Sequence, residues 1–231
     1  MPAATPAILT LYSKTKPIGN GAFGSCFLAK SVKSGETCVM KEVSTRGLQP
    51  SELKRSINEA KVLQKLKHPN LISYRDAQLS REHAKLYIVM EHAAGGDLGS
   101  LIAERVRSGR RFSEAEVLKV AAQSCSALAH CHHTLFLLHR DIKPQNLFLS
   151  SAHPGAHGRT PGDVKIGDFG ISKSLAASHA LAMTKCGSPI YMSPELCAGR
   201  PYDRGWCVTG NQTRNLSTRP LRCLSFRPFR Y

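Results

Sequence analysis

The spacing of apolar residues predicts a strand-rich first part of the chain followed by a helix. Residues 8–45 read as short strands broken by glycine, with Gly35 at the turn between strands near 26–30 and 37–43. From residue 51 to 66 the apolar positions recur at steps of three and four, which predicts a helix with one buried face. The positions are Leu53, Ile57, Ala60, Leu63 and Leu66. The triplet His68-Pro69-Asn70 is expected to end this helix.

The next part of the chain changes from strand to helix at a small, flexible segment. Residues 86–91 (LYIVME) predict a buried strand, and the AAGG that follows is expected to be a hinge between two lobes. Helices are predicted at about 98–106 and 113–135, the second with a capping box formed by Ser113 and Glu116. Two short strands, 147–149 and 164–166, flank a Gly, Pro and His rich segment that is expected to be a surface loop.

Composition adds a strong positive charge to this picture. The 231 residues hold 32 Lys and Arg against 16 Asp and Glu, a formal charge of +16, which favours phosphate-rich or acidic partners or else is only a soluble basic surface. No apolar run reaches the roughly 18 residues of a membrane-spanning helix, and the start of the chain lacks a signal-peptide pattern. We therefore expect an intracellular, cytoplasmic protein with no transmembrane segment, whose 8 cysteines stay reduced.

A glycine-rich segment lies between two predicted strands. The Gly-x-Gly-x-x-Gly spacing also occurs in dinucleotide-binding proteins, but there it joins a strand to a helix. A strand on both sides favours a flexible flap whose backbone can approach phosphates closely. The segment consists of Gly19, Asn20, Gly21, Ala22, Phe23 and Gly24.

A lysine among apolar neighbours follows on the next predicted strand. Lys41 is flanked by Cys38, Val39 and Val43, so its desolvation needs an anion to offset it. A phosphate and a carboxylate would both serve. Glu59 on the predicted helix could supply the carboxylate; otherwise it is an ordinary exposed helix glutamate.

The sequence HRDIKPQN, residues 139–146, carries the strongest chemical signal. Phosphoryl transfer to a hydroxyl needs a carboxylate to accept the proton, a cation near the migrating phosphate and an amide oxygen for the metal. Asp141, Lys143 and Asn146 fit these three roles. Asp168, in a Gly-Asp-Phe-Gly sequence after a short strand, would present a second carboxylate to Mg²⁺.

These motifs resemble the protein kinase family, and their details look most like the NIMA-related (NEK) branch. The cues are LYIVMEHAAGGDL, HRDIKPQNLFL, VKIGDFGISK and GSPIYMSPELC, and the resemblance covers about residues 8–203. It implies an α+β, two-lobed fold with a small antiparallel sheet lobe and a mainly helical large lobe. It also implies ATP and Mg²⁺ as cofactors, protein substrates with Ser/Thr acceptors, and association with the cytoskeleton.

The resemblance also assigns roles around the nucleotide and in the activation loop. Glu91 and Ala93 would bond adenine through backbone groups after the gatekeeper Met90, and Asp97 would face the ribose. The residues that would sandwich the base are Ile18, Cys26, Val39 and Phe148. Thr184 would accept an activating phosphate, and Arg140 could form an ion pair with that phosphate. The alternative is that Thr184 is an unmodified loop threonine. Ser188 would line the site of the substrate hydroxyl.

The resemblance ends near Asp203, which divides the chain into three predicted parts. Residues 1–93 would form the N-terminal lobe with flap and hinge, 94–203 a partial, truncated C-terminal lobe, and 204–231 a basic tail outside the kinase pattern, from a shifted frame or alternative exon. Apolar faces around Val120, Leu128 and Leu135 would then be exposed unless a partner protein covers them.

Three functions remain open at this point. They are an active kinase, an inactive fragment that binds nucleotide or acts as a scaffold, and a basic binder of nucleic acid or microtubules. The last lacks any specific nucleic-acid module.

Overall fold

The computed structural model describes residues 6–21, 24–134, 137, 139, 141–155 and 158–169. Within them the chain forms helices and strands in the order α1, β1, β2, β3, α2, β4, β5, α3, α4, then β6 to β9. The helices are α1 (Ala7–Leu11), α2 (Pro50–Gln64), α3 (Leu98–Arg107) and α4 (Glu114–Thr134). The strands are β1 (Tyr12–Gly21), β2 (Gly24–Ser31), β3 (Thr37–Ser44), β4 (Tyr74–Ser80), β5 (Lys85–Glu91), β6 (Leu147–Leu149), β7 (Ala152–Gly155), β8 (Gly158–Pro161) and β9 (Val164–Ile166).

The first lobe is built on a five-stranded antiparallel sheet in the order β1-β2-β3-β5-β4. The predicted turn between β2 and β3 is confirmed: Gly35 has φ +70°, a left-handed conformation that glycine adopts without a Cβ penalty. Successive side chains on a strand point to opposite faces, so Val39 and Lys41 share one face of β3 while Met40 and Glu42 share the other. Lys41 therefore lies on the face of the sheet that also carries Val39.

The other face of the sheet is covered by a helix that the sequence pattern did not predict. Residues 8–11 were expected in a strand, which is wrong: they form most of α1, and Tyr12 begins β1. Ile8 is 2% exposed, and its backbone N–H donates to Gln78 Oε1 at 2.6 Å. It belongs to a buried cluster with Ala29, Cys38, Met40, Tyr87 and Val89.

A buried carboxylate joins three strands on that same face. Glu42 on β3 accepts from Lys14 of β1 at 2.6 Å and from Lys85 of β5 at 2.7 Å. Burial favours the neutral acid, but the two ammonium groups outweigh it and lower the pKa of Glu42. The ion pairs thus hold the strand that carries Lys41.

Three further elements differ from the sequence prediction. The surface loop expected between residues 150 and 163 contains a hairpin of β7 and β8, paired from Ala152↔Pro161 to Gly155↔Gly158. Strand β4 was not predicted at all, and α2 ends at Gln64, before the triplet that was expected to end it. The predicted short strands β6 and β9 are confirmed, and they pair antiparallel with Leu147 opposite Ile166.

Helices α3 and α4 carry the second lobe as far as the structure describes it. The predicted capping box is confirmed, because Ser113 N–H donates to Glu116 Oε2 at 2.8 Å and Glu116 N–H donates to Ser113 Oγ at 3.2 Å. The expectation of uncovered apolar faces is wrong for Val120 and Leu128 themselves, which are 5% and 7% exposed in the main core. Near Val120 on the same helix, however, Val117 and Leu118 are 44% and 59% exposed. Leu135 lies outside the described residues.

In the described ranges no helix combines the length and apolar character needed to cross a bilayer. Cys26, Cys38, Cys125 and Cys131 are free thiols there.

Glu116 is expected to be a strong stability determinant of the second lobe. Its carboxylate is 3.0 Å from the guanidinium of Arg105, whose side chain is only 4% exposed. We expect Glu116→Ala to lower the free energy of unfolding by about 3 kcal/mol, because it leaves a buried charge without its carboxylate and removes a helix cap. Urea unfolding measures this change. The matched control is Glu114→Ala, which is exposed in the same helical turn and should change stability by less than about 0.5 kcal/mol. Equal losses in both variants would contradict the assignment.

Candidate active site

The glycine-rich flap is the turn between β1 and β2, where the sequence pattern placed it. Gly19 lies opposite Cys26, Asn20 opposite Ser25, and Gly21 opposite Gly24. Gly24 has φ +142°, and a Cβ there would lie 2.0 Å from the carbonyl oxygen of Glu42. Only glycine allows this close approach of β2 to β3. Ala22 and Phe23 lie outside the described residues.

Lys41 forms an ion pair with Asp168, which brings the first lobe to the segment after β9. The lysine side chain is 12% exposed and the aspartate side chain 42% exposed, so the pair lies at the rim of the space between the lobes. The predicted partner Glu59 is a residue of α2, but its side chain lies outside the described part. The carboxylate that pairs with Lys41 in the structure is therefore that of Asp168, the residue predicted to bind Mg²⁺.

Asp168 adopts an unusual backbone conformation for a residue with a side chain. Its φ is +57°, in the left-handed region that asparagine and aspartate tolerate better than most residues. The residue comes directly after Gly167, where a Cβ would meet Ile72 at 2.8 Å and the Phe148 ring at 3.0 Å. Close packing at position 167 explains why a glycine follows β9.

The three residues predicted for catalysis lie together in the segment before β6. Asp141 is 5% exposed, and its Oδ2 accepts from Lys143 Nζ at 3.1 Å and from Asn146 Nδ2 at 2.9 Å. Asn146 Nδ2 also donates to the Asp141 carbonyl at 2.7 Å. The amide nitrogen of Asn146 is thus used within the loop, which leaves Oδ1 as the atom of this side chain able to ligate a metal.

His139 connects the two halves of the site, a role that sequence reasoning missed. Asp141 N–H donates to His139 Nδ1 at 3.3 Å, so Nδ1 is the acceptor and the proton is on Nε2, which donates to the Gly167 carbonyl at 2.8 Å. The imidazole also packs against Phe169, with ring centroids 4.6 Å apart. The histidine therefore fixes the position of Asp141 relative to Asp168. The position of His139 directly before Arg140 and Asp141 was the sequence signal that could have indicated this role.

The predicted hinge follows β5. Glu91 uses its side chain structurally: the carboxylate pairs with Lys165 at 2.9 Å and accepts from Ser73 N–H at 3.2 Å. Its backbone N–H donates to Ser73 O at 2.9 Å. The Ala93 carbonyl accepts from Gly96 N–H at 3.3 Å, while Ala93 N–H has no hydrogen-bond acceptor among the described residues. That N–H is suited to an external acceptor.

Asp97, predicted to face a ribose, has a structural role as well. It is the N-cap of α3, where Oδ1 accepts from Ser100 N–H at 2.8 Å and Oδ2 from Ser100 Oγ at 2.6 Å. A β-bridge pairs Asp97 with Phe148 of β6. The end of the hinge and the strand after the catalytic loop are therefore adjacent.

The other predicted base contacts lie on the strands around Lys41. Val39 is half-buried on the same face of β3, and Cys26 lies opposite Lys41 in the β2–β3 register. Burial raises the pKa of the Cys26 thiol, an effect that nearby Lys41 opposes and Asp168 reinforces. Ile18 is 47% exposed at an irregularity of β1.

The regulatory predictions concern a part of the chain that cannot be compared with the structure. Arg140, Thr184, Ser188 and the segment 204–231 all lie outside the described residues.

The donor set fits Mg²⁺ and a nucleotide phosphate. Mg²⁺ prefers oxygen ligands, and Asp168 and Asn146 offer a carboxylate and an amide oxygen on two chain segments joined by the Gly167 N–H to Asn146 O hydrogen bond of 3.1 Å. Lys41 and the flap supply a cation and backbone N–H groups for phosphate. In the described part no cluster of three or more His, Cys, Asp or Glu side chains suits a metal ion, so a metal here would need phosphate oxygens as well.

A small antiparallel sheet, together with a buried aspartate that His139 connects to the segment of a second aspartate, is the arrangement of a protein kinase catalytic domain. In agreement, residues 12–207 match the sequence model of the family described as "Protein kinase domain". The chain belongs to the protein kinase family.

The similar curated proteins are NEK-type serine/threonine kinases. The chain is 38% identical to "Serine/threonine-protein kinase Nek1" of Mus musculus over 192 residues, which is 83% of the chain and 15% of that protein. It is 37% identical to "Serine/threonine-protein kinase Nek2" of Mus musculus over 204 residues, 86% of the chain and 44% of the relative. It is 40% identical to "Serine/threonine-protein kinase Nek5" of Homo sapiens over 83% of the chain and 25% of the relative. The chain thus spans less than half the length of these relatives.

Proposed function

We propose that the chain is an ATP-dependent serine/threonine protein kinase of NEK type, which transfers the γ-phosphate of ATP to Ser and Thr hydroxyls of proteins. The observation that carries the proposal is the contact set around Asp141: a buried carboxylate held by Asn146 and Lys143 and connected through His139 to the segment of Asp168. Four residues of the segment 139–146 make these contacts: His139, Asp141, Lys143 and Asn146.

In the proposed reaction Asp141 accepts the proton of the substrate hydroxyl while that oxygen forms a bond to the γ-phosphorus. The bond between the γ-phosphorus and the oxygen bridging to the β-phosphate breaks, and the electron pair leaves with ADP. Lys143 stabilises charge on the migrating phosphoryl group from its place 3.1 Å from Asp141. Asn146 and Asp168 would hold Mg²⁺, which supplies charge neutralisation at the phosphates when bound.

The nucleotide would bind between the flap and β6. When nucleotide binds, the ammonium group of Lys41 would contact a phosphate in addition to or in place of Asp168. The carboxylate of Glu59 is a candidate second partner of Lys41. Glu91 and Ala93 would bond the adenine through backbone groups, and Asp97 the ribose. Ile18, Val39, Cys26 and Phe148 would flank the base, and Gly19 to Gly24, including Ala22 and Phe23, would cover the phosphates. Thr184 remains the proposed regulatory phosphate acceptor.

Protection of Cys26 by nucleotide tests this binding mode without requiring catalysis. Because the half-buried thiol has a raised pKa, we expect it to react with iodoacetamide more slowly than exposed Cys125 at neutral pH, and faster as pH rises above 9. Saturating MgATP should slow alkylation of Cys26 by roughly tenfold and leave Cys125 unchanged. Peptide mass spectrometry of the alkylated protein measures both sites. An unprotected Cys26 under saturating nucleotide would contradict the proposed placement.

The acceptor class is tested with three peptides that differ only in having Ser, Thr or Tyr at one position. We expect MgATP-dependent phosphorylation of the Ser and Thr peptides and none of the Tyr peptide. A chain that binds MgATP but phosphorylates none of them would instead be a nucleotide-binding protein without transferase activity. Substrate, partner proteins, cytoplasmic or cytoskeletal location and the roles of 1–93, 94–203 and 204–231 as separate parts stay predictions.

A further inference from the structure

The turn between α3 and α4 carries a concentrated positive charge that the proposed reaction does not use. Residues 105–111 read RVRSGRR, with four arginines and no acidic residue. Of these, Arg105 is 3% exposed, whereas Arg107, Arg110 and Arg111 are exposed. We call these three residues together with Val106 the arginine turn.

Arg105 is used inside the protein to hold the arginine turn in one conformation. Its guanidinium pairs with Glu116 at 3.0 Å, donates to the Arg111 carbonyl at 3.0 Å, and lies 4.9 Å from the centroid of the Phe112 ring. Its own carbonyl accepts from Arg110 N–H at 2.9 Å. Gly109 completes the turn with φ +63°. The backbone that bears the exposed arginines is therefore fixed by contacts on both sides.

Among the residues that the structure describes, the three exposed arginines have no carboxylate partner of their own. Arg107 Nε donates to the Ala103 carbonyl at 3.3 Å, which directs the guanidinium but does not neutralise it. Neither it nor Arg110 or Arg111 forms an ion pair with any residue in the part of the chain that the structure describes. By contrast, Lys119 in the same lobe is paired with Asp163 at 3.1 Å.

An exposed apolar side chain stands among these charges. Val106 is 60% exposed between Arg105 and Arg107. The nearest aromatic ring in sequence, Phe112, is packed under Arg105 and is not offered for base stacking. Arginine forks match carboxylates and phosphates bidentately, and an apolar contact beside them suits a peptide better than a nucleic acid.

We propose that the arginine turn is a docking surface for an acidic peptide segment of a protein partner, with an apolar residue that contacts Val106. The anionic groups of the segment would be carboxylates or phosphorylated side chains. The turn is at the far end of the ten-residue helix α3 from Asp97, about 15 Å along the helix axis, so docking there leaves the nucleotide site accessible. The surface would recruit a protein without taking part in phosphoryl transfer.

The test is fluorescence anisotropy with the full chain and a short labelled peptide made of glutamates on both sides of one leucine. We expect the triple variant Arg107→Gln, Arg110→Gln, Arg111→Gln to bind this peptide about tenfold more weakly than the wild type. The matched control removes the same charge from exposed lysines elsewhere, Lys30→Gln, Lys33→Gln, Lys67→Gln, and should bind within about twofold of the wild type. Val106→Ser should weaken binding by roughly threefold.

The outcomes separate the docking surface from general charge and from the kinase activity. Equal losses in both triple variants, or no loss in the arginine variant, would overturn the proposal. So would a single-stranded oligonucleotide that binds the arginine turn more tightly than the peptide. The same peptide with phosphoserines in place of glutamates shows whether phosphates or carboxylates bind more tightly. Binding of either peptide supports the proposal only if the triple arginine variant binds that peptide more weakly than the wild type does. Binding needs no ATP, so a chain without transferase activity would still show it.

Discussion

Asp141→Asn is expected to reduce the rate of phosphoryl transfer by about 10²- to 10⁴-fold while MgATP still binds. The side chains have the same shape, but the amide cannot accept the proton of the attacking hydroxyl. The structure also makes Oδ2 of Asp141 the acceptor for both Lys143 and Asn146, so the substitution weakens the position of two further residues. Turnover of a Ser peptide at saturating MgATP measures the loss as a change in kcat.

The matched control for this prediction is Asp163→Asn. Asp163 is an exposed aspartate in the same lobe, paired with Lys119 and Gln123 instead of with the site. It should retain activity within about twofold of the wild type. A fully active Asp141→Asn variant would rule out the role of proton acceptor. Comparable thermal unfolding of the two variants excludes loss of the fold as the cause.

Asp168→Asn is expected to reduce transfer by at least about 10²-fold, because it removes the carboxylate proposed to hold Mg²⁺. Asparagine tolerates the left-handed φ of +57° at this position as well as aspartate does, so the change isolates the charge. The substitution removes the carboxylate with which Lys41 pairs and leaves the ammonium group available to a phosphate. Binding of ATP without metal should therefore not weaken.

The Mg²⁺ dependence separates the metal role from a structural one. We expect the variant to need a much higher Mg²⁺ concentration for half-maximal activity, with unchanged binding of metal-free ATP measured by calorimetry. An unchanged Mg²⁺ dependence at reduced activity would contradict metal ligation by Asp168.

The grouping of the candidate catalytic residues could be predicted from the sequence because these residues are close together along the chain. Asp141, Lys143 and Asn146 fall within six positions, and the turn Pro144–Asn146 brings the amide back to the aspartate. The contact between Lys41 and Asp168 spans 127 positions. Sequence placed both residues at the site but could not give their pairing, which depends on how the lobes meet.

The elements that sequence missed are those whose stability comes from tertiary contacts. Helix α1 has five residues and no side-chain cap, and it is stabilised by Ile8 in the cluster on the outer face of the sheet. Strand β4 has only Tyr74 fully buried and mixed polar residues beyond it, so no period of two is visible. The structural use of Glu91 was missed for the same reason, because its partners Lys165 and Ser73 are distant in the sequence. The cap formed by Asp97 is local, since its partner Ser100 is three positions away. The boundaries at 93 and 203 stay predictions.

The most direct test of the central claim is transfer of radiolabelled γ-phosphate from ATP to a basic protein substrate by the purified chain, with MgATP binding measured on the same sample. We expect labelled Ser or Thr in the substrate, dependent on Mg²⁺ and lost in Asp141→Asn. A sample that binds MgATP and transfers no label, or a label that persists in Asp141→Asn, would contradict the claim.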